Sequence, residues 1–251
     1  MSLRAESVGD AVVLTIDRTE RRNAIDRALA RRLCETIRIA SSDPRVRGVV
    51  ITGAGDQVFV AGGDIHEQSQ LTRDGSSGSE VLEMGEDLAI VEQAEVPVIA
   101  AAQGDVLGGG CEFILLCDFV IVEEHATLSF RHAKMGLSPA WGGLTRLVER
   151  VGPLEATRLL LTAERIGAAE ALRIGLVNEV VPRGGARARA VALVNRIADN
   201  PRTTVAALKR TLRGVREARR GASADVEREA FSQRWGGADH RKAMDEFLSR
   251  K

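Results

Sequence analysis

Two glycine-rich segments can turn backbone N–H groups into free donors. The first is Phe59-Val60-Ala61-Gly62-Gly63-Asp64-Ile65, and the second runs from Gly104 through Gly108-Gly109-Gly110 to Cys111-Glu112. Both follow apolar, strand-like runs. Glycine after a strand lets the backbone approach a ligand closely and leaves N–H groups unshared. In the second segment those groups open a helix, where developing negative charge is favoured. If the two segments converge, they form a pair of donors for an oxyanion. Two tight turns are the plain alternative. A dinucleotide phosphate loop is not indicated: no G-x-G-x-x-G follows a strand, and Gly53-Ala54-Gly55 lacks the third glycine. Glu112 sits among Cys111, Phe113, Ile114, Leu115 and Leu116. A carboxylate in that company is desolvated unless its face opens on a cleft, and buried carboxylates need a partner or a task. A salt-bridged structural glutamate is the alternative. His132 lies in the polar stretch Phe130-Arg131-His132-Ala133-Lys134-Met135-Gly136, ahead of Pro139 and Trp141. A histidine alone carries no assignment.

These residues need a scaffold. Val12 to Ile16 is β-branched and short and predicts a strand. Ala30, Leu33, Ile37 and Ala40 share one helical face, with Asp26 as the N-cap. Val46 to Thr52 and Val98 to Ala102 are nearly all apolar, as strands covered on both faces must be. Residues 71–79, LTRDGSSGS, predict a polar surface loop. Gly108-Gly109-Gly110 is predicted to open a short helix through Leu116, and a strand is predicted over Phe119 to Val122. From Gly143 the text is helical, apart from a short strand over Val177 to Val181 and a break at Asn200-Pro201. A basic helix covers Thr203 to Arg220, and a last helix starts near Asp239. Strands and helices alternate up to about residue 140 and a helical layer follows, which is an α/β fold with a helical extension.

Composition narrows the class. The 251 residues carry 35 basic and 35 acidic side chains, 44% hydrophobic and 28% charged, a globular balance. It excludes disorder and a polybasic nucleic-acid binder. No stretch reaches the ~20 apolar residues of a membrane helix. The opening residues lack a basic stretch followed by an apolar core, so a cytoplasmic protein is expected. Cys34, Cys111 and Cys117 are odd in number and lack C-x-x-C spacing, which predicts neither disulfides nor a metal site.

Five ordered segments resemble the enoyl-CoA hydratase/isomerase, or crotonase, superfamily. Phe59 to Ile65 is similar to its F-x-A-G-x-D-I/L segment. Leu107-Gly108-Gly109-Gly110-Cys111-Glu112 followed by Cys117-Asp118 is similar to its A-L-G-G-G-x-E and C-D signature. Arg18 to Ile25 resembles R-P-x-x-x-N-A-L/M, with Thr19 in place of proline. Gly136 to Leu147 resembles G-x-x-P-x-x-G-G-x-x-R-L, and Ala168 to Val177 resembles A-x-x-A-x-x-x-G-L-V. The resemblance covers about residues 10–250.

It implies the crotonase (ClpP-like) fold, a spiral of strand–strand–helix turns over residues 1–195, with a C-terminal helical trimerisation region over 196–251. It implies a coenzyme A thioester as substrate, no further cofactor and no metal, and a homotrimer or dimer of trimers. Carried over, the oxyanion donors are the N–H groups of Gly63 and Gly109. Glu112 falls on the first catalytic glutamate. His132 falls on the second, a departure that puts simple hydration in question. The substrate would contact Arg22, Ala24, Ala61, Gly62, Asp64, Ile65 and Gly108. Arg21 and Arg22 offer cations for the nucleotide phosphates, although a solvated pair is the alternative. Arg250 and Lys251 would reach a neighbouring subunit's nucleotide.

The stretch from Phe130 to Gly143, with its histidine and Trp141-Gly142-Gly143, and Arg234-Trp235-Gly236-Gly237 resemble the ethylmalonyl-CoA decarboxylase branch. Hydration, decarboxylation and double-bond isomerisation therefore stay open, all three passing through a thioester enolate. Two other classes stay beside them. One is a non-catalytic acyl-CoA binding protein, which would have little reason to keep Glu112. The other is a nucleic-acid binder using Arg202, Arg210, Arg213, Arg216, Arg219 and Arg220. That stripe fits a solvated face or a subunit contact better.

Overall fold

The apolar runs build a six-stranded sheet in a computed structural model that describes residues 2–221 and 223–249. Its members are β1 (Leu3–Val8), β2 (Ala11–Ile16), β3 (Gly48–Gly53), β5 (Val98–Ala102), β7 (Phe119–Glu123) and β10 (Glu179–Val181), in the order β1-β2-β3-β5-β7-β10. β1 pairs antiparallel with β2, and the other pairs are parallel. Four short strands, β4 (Val58–Val60), β6 (Asp105–Leu107), β8 (Thr127–Ser129) and β9 (Ile166–Gly167), form a second sheet. Each long parallel strand β3, β5 and β7 is followed by a short one in the second sheet and then by helix. The chain thus winds as the expected spiral of strand–strand–helix turns.

Both faces of the long sheet are covered, which is why its strands read as unbroken apolar runs. On one face Leu14, Val49, Ile51, Ala100 and Val120 meet α1 (Arg27–Ser42), α3 (Ser79–Leu88), α4 (Ile90–Gln93) and α5 (Gly109–Leu116). On the other, Val13, Val50, Ile99 and Ile121 meet Ala186, Ala190 and Val194 of α8 (Ala186–Ala198). Asp26 caps α1 as its side chain accepts the Leu29 N–H at 2.7 Å. All three cysteines are free and buried, Cys34 on α1 and Cys111 at the start of α5, with Cys117 just past its end.

Three expectations need correction. Residues 71–73 are not loop: they end α2 (Ile65–Arg73), because Leu71 is buried. The turn is only 74–78, and Trp235 fastens it by donating its indole N–H to the Ser76 carbonyl at 2.9 Å. β1 was not anticipated, since its middle residues are exposed and polar. The arginine stripe of α9 (Arg202–Arg220) is only partly a solvated face, with Arg210 and Arg219 exposed. Arg202 reaches the carbonyls of Ser41 and Val46, and Arg216 and Arg220 reach Glu92 and Glu149. The helix instead turns Leu208, Leu212 and Val215 outward, at 60%, 57% and 48% exposure. Arg250 and Lys251 lie outside the described residues.

Candidate active site

The two glycine segments meet. Gly62 adopts φ +107°, a conformation that disfavours side chains, and a Cβ there would stand 2.8 Å from the Gly109 nitrogen. The Ile25 N–H donates to the Gly62 carbonyl at 2.8 Å, and Asp64 N–H returns to the Ile25 carbonyl at 3.0 Å. This fixes Gly63 beside the start of α5. Among the described residues, no protein acceptor takes the N–H of Gly63 or Gly109, and both residues are half-exposed. Gly109 is the first residue of α5, so its N–H has no intrahelical acceptor.

Glu112 sits one turn into that helix, 2% exposed. Four donors hold its carboxylate. Oε2 accepts the N–H groups of Trp141 at 2.7 Å and Gly143 at 3.0 Å. Oε1 accepts Ala140 N–H at 3.4 Å and lies 2.9 Å from His132 Nε2. Backbone N–H groups take three positions on the carboxyl group, and the His132 tautomer with its hydrogen on Nε2 completes the set. His132 is buried too, and its Nδ1 has no hydrogen-bond partner among the described residues. The turn carrying those backbone donors opens α6 (Gly143–Thr162). Arg146 steadies it by donating to the Gly142 carbonyl at 3.0 Å.

A cavity of about 220 Å³ is lined by all of Glu112, His132, Gly63, Gly109, Arg22, Ala24, Ala61, Gly62, Asp64, Ile65 and Gly108. Arg21 and Arg22 stand exposed at its edge. Asp64 is placed differently from its neighbours: its carboxylate caps α2 through His66 N–H at 2.9 Å and pairs with Arg18 at 2.8 Å. Asn23, buried beside the cavity residue Ala24, clamps the loop by donating to the carbonyls of Val58 at 2.8 Å and Ala54 at 3.0 Å.

Several residues here were not anticipated. Val81, Leu137, Trp141, Phe231 and Phe247 line the cavity, and the two phenylalanines arrive from α10 (Ser223–Arg234) and α11 (Ala238–Ser249). Glu227 of α10 is 3% exposed and accepts Leu144 N–H at 2.9 Å and Thr145 N–H at 3.0 Å. Burial, and then the nearby Glu112 charge, push its pKa up against those bonds. No sequence signal separates Glu227 from the exposed Asp225 and Glu229 around it.

Spiral fold, paired glycine segments and a buried carboxylate at a helix start define a class of enzymes that hold acyl thioesters. The chain belongs to the enoyl-CoA hydratase/isomerase family, whose model matches residues 6–251. It is 34% identical over 257 residues to the short-chain-enoyl-CoA hydratase of Clostridium acetobutylicum, covering 98% of this chain and 94% of that one. Among solved structures it resembles an enoyl-CoA hydratase/isomerase from Mycobacterium paratuberculosis, with TM-score 0.89, 30% identity and 98% of both chains covered. It also resembles a carnitinyl-CoA hydratase from Mycobacterium avium, with TM-score 0.87, 34% identity, and 100% and 96% covered. Among the described residues, no helix is long and apolar enough to cross a membrane.

Proposed function

We propose that this protein is a hydro-lyase that adds water across the double bond of an enoyl-CoA thioester and removes it in reverse. The observation that carries the reading is the 2.9 Å contact between Glu112 Oε1 and His132 Nε2, on the wall of a cavity that Gly63 and Gly109 also line. The hydratases among its relatives support it. The Gly63 and Gly109 N–H groups hold the thioester oxygen and stabilise the enolate charge that develops there. Losing one such donor costs about 10²–10³ in rate. One water is held against the Glu112–His132 pair on its cavity side. Its oxygen adds to the β-carbon and its proton passes to the pair, which returns a proton to the α-carbon. The pair ends as it began.

Ala24, Ala61, Gly62, Ile65 and Gly108 flank the thioester, with Asp64 acting through the backbone it holds. Arg21 and Arg22 meet the nucleotide phosphates. The coenzyme A thioester is substrate, and the reaction needs no metal or further cofactor. Residues 1–195 form the core, and residues 196–251 carry the subunit contacts of a homotrimer or dimer of trimers in the cytoplasm.

The test is a mass-spectrometric screen of the purified protein against enoyl-CoA and alkylmalonyl-CoA thioesters. Gain of one water on an enoyl thioester is expected. Loss of CO₂ from an alkylmalonyl thioester, without hydration of any enoyl one, overturns the reading. Glu112→Gln and His132→Ala are each expected to lower kcat by about 10²–10⁴. The double variant is expected to fall little below the worse single one, because the two act as a unit.

A further inference from the structure

Trp141 is a cavity residue, yet only 4% exposed. Two glycines from separate segments, Gly109 and Gly85, make room for it, and Gly63 lies in ordinary contact with it. A Cβ on Gly109 would stand 2.8 Å from its Cζ3, and one on Gly63 would stand 3.7 Å from its Cζ2. A Cβ on Gly85 of α3 would stand 2.9 Å from its Cα and 3.0 Å from its Cδ1. The indole is therefore seated between α3 and the start of α5, against both glycines whose N–H groups are unshared. Its backbone is fixed as well, since its N–H donates to Glu112 Oε2 at 2.7 Å. The ring has no slack in which to swing aside, because protein interiors leave few voids larger than a water molecule.

The carbons bonded to a thioester carbonyl must pass beside those two glycines. There they meet the benzo edge of the indole. Beyond it the cavity is walled by Val81, Leu137 and Phe231. Phe231 is 1% exposed and stacks on Trp235 with centroids 5.5 Å apart, which closes that end from behind. An apolar chamber narrowed by a fixed indole discriminates by size.

We propose that Trp141 is the specificity-determining residue and that the substrate is a short-chain 2-enoyl thioester, longer chains being excluded by the indole. This rests on the hydratase reading above and names its substrate class. The role of Trp141 toward Glu112 runs through its backbone, so replacing the side chain leaves that hydrogen bond in place.

The experiment compares kcat/KM for crotonyl-CoA, trans-2-hexenoyl-CoA, trans-2-octenoyl-CoA and trans-2-decenoyl-CoA in the wild type, Trp141→Phe and Trp141→Ala. The wild type is expected to favour crotonyl-CoA. Trp141→Ala is expected to raise the decenoyl-to-crotonyl ratio by at least about 10-fold, the scale of one or more methylenes in an apolar pocket. Trp141→Phe is expected between the two. A ratio of two substrates on one variant cancels any general loss of activity. If Trp141→Ala does not fold, the Phe variant decides: an unchanged ratio there overturns the proposal, as it does in a folded Ala variant. Calorimetric affinities for butyryl-CoA and decanoyl-CoA give a readout without chemistry. If the wild type hydrates no enoyl thioester, the hydratase reading fails, while the affinity ratio still judges Trp141.

Discussion

Glu112 is held so tightly that a neighbouring residue must do without a side chain. A Cβ on Gly143 would stand 2.3 Å from Glu112 Cγ and 2.7 Å from Oε2. Gly143→Ala therefore has to move the carboxylate or the turn that binds it. We expect kcat to fall by about 10²-fold, the cost of roughly 1 Å of misplacement at a reacting group. The check is kcat and KM together with Tm: near-normal turnover in a stable variant would mean that Glu112 tolerates displacement. At this scale the sequence was informative where a residue type was out of place. Glu112 is a charge in an apolar helix, whereas the glycines of 62–63 and 108–110 read as tight turns until their motifs are matched. Trp141, Phe231 and Glu227 were not legible as site residues. A buried aromatic looks the same whether it fills a core or lines a cavity, and the residues it faces are distant in sequence.

Helix α6 is the element on which the site turns. Its first turn, with the turn before it, spends five N–H groups on two carboxylates, Glu112 through Ala140, Trp141 and Gly143, and Glu227 through Leu144 and Thr145. Helix starts attract anions, so the arrangement uses the dipole twice. A second knot secures the same helix. Glu92 of α4 is buried and pairs with Arg146 of α6 at 2.8 Å and Arg220 of α9 at 2.7 Å. Burial alone would raise its pKa, but Arg220 and Arg146 override this and hold it at about 2. A carboxyl depressed on folding contributes stability above its unfolded pKa and loses it as pH falls toward the folded value. The window here runs from the ordinary carboxylate range near 4.5 down to about 2. Glu92→Gln should cost about 3–5 kcal/mol at neutral pH, because it strands buried guanidiniums. Urea denaturation from pH 7 to pH 3 should show the gap to wild type narrowing below about pH 4.5. A gap independent of pH would show that Glu92 acts by packing alone. The long strands were plain in the sequence, since double coverage makes them continuously apolar. The second sheet was not, because two- and three-residue strands are too short for any period to register.

Across the whole molecule, the C-terminal helices work in two directions. Inward, α10 and α11 bring Phe231 and Phe247 to the cavity, so the last part of the chain completes a site begun near residue 20. Outward, Leu208, Leu212 and Val215 line one face of α9 at helical spacing, all at least 48% exposed. A contiguous apolar patch of this kind marks a contact surface, and it gives the proposed trimer its seam. Leu208→Asp with Leu212→Asp should weaken assembly by at least about 10²-fold, since an unpaired charge buried at a contact costs roughly 3 kcal/mol or more. Light scattering on the wild type and the double variant decides it. An unchanged mass would move the seam elsewhere.

The buried thiols carry a consequence of another kind. Cys34 and Cys117 are both pushed up to about 12 by burial, and Cys111 is raised further for the same reason. Only a thiolate reacts quickly with alkylating reagents, so in the folded state these three sulfurs are chemically silent. They are also well separated, one under α1 and α3 and two around α5. Labelling at Cys34 alone reports the outer helices lifting from the sheet. Labelling at Cys111 reports α5 coming apart. The chain thus holds a pair of native clocks, and their rates distinguish partial opening from complete unfolding without any added probe.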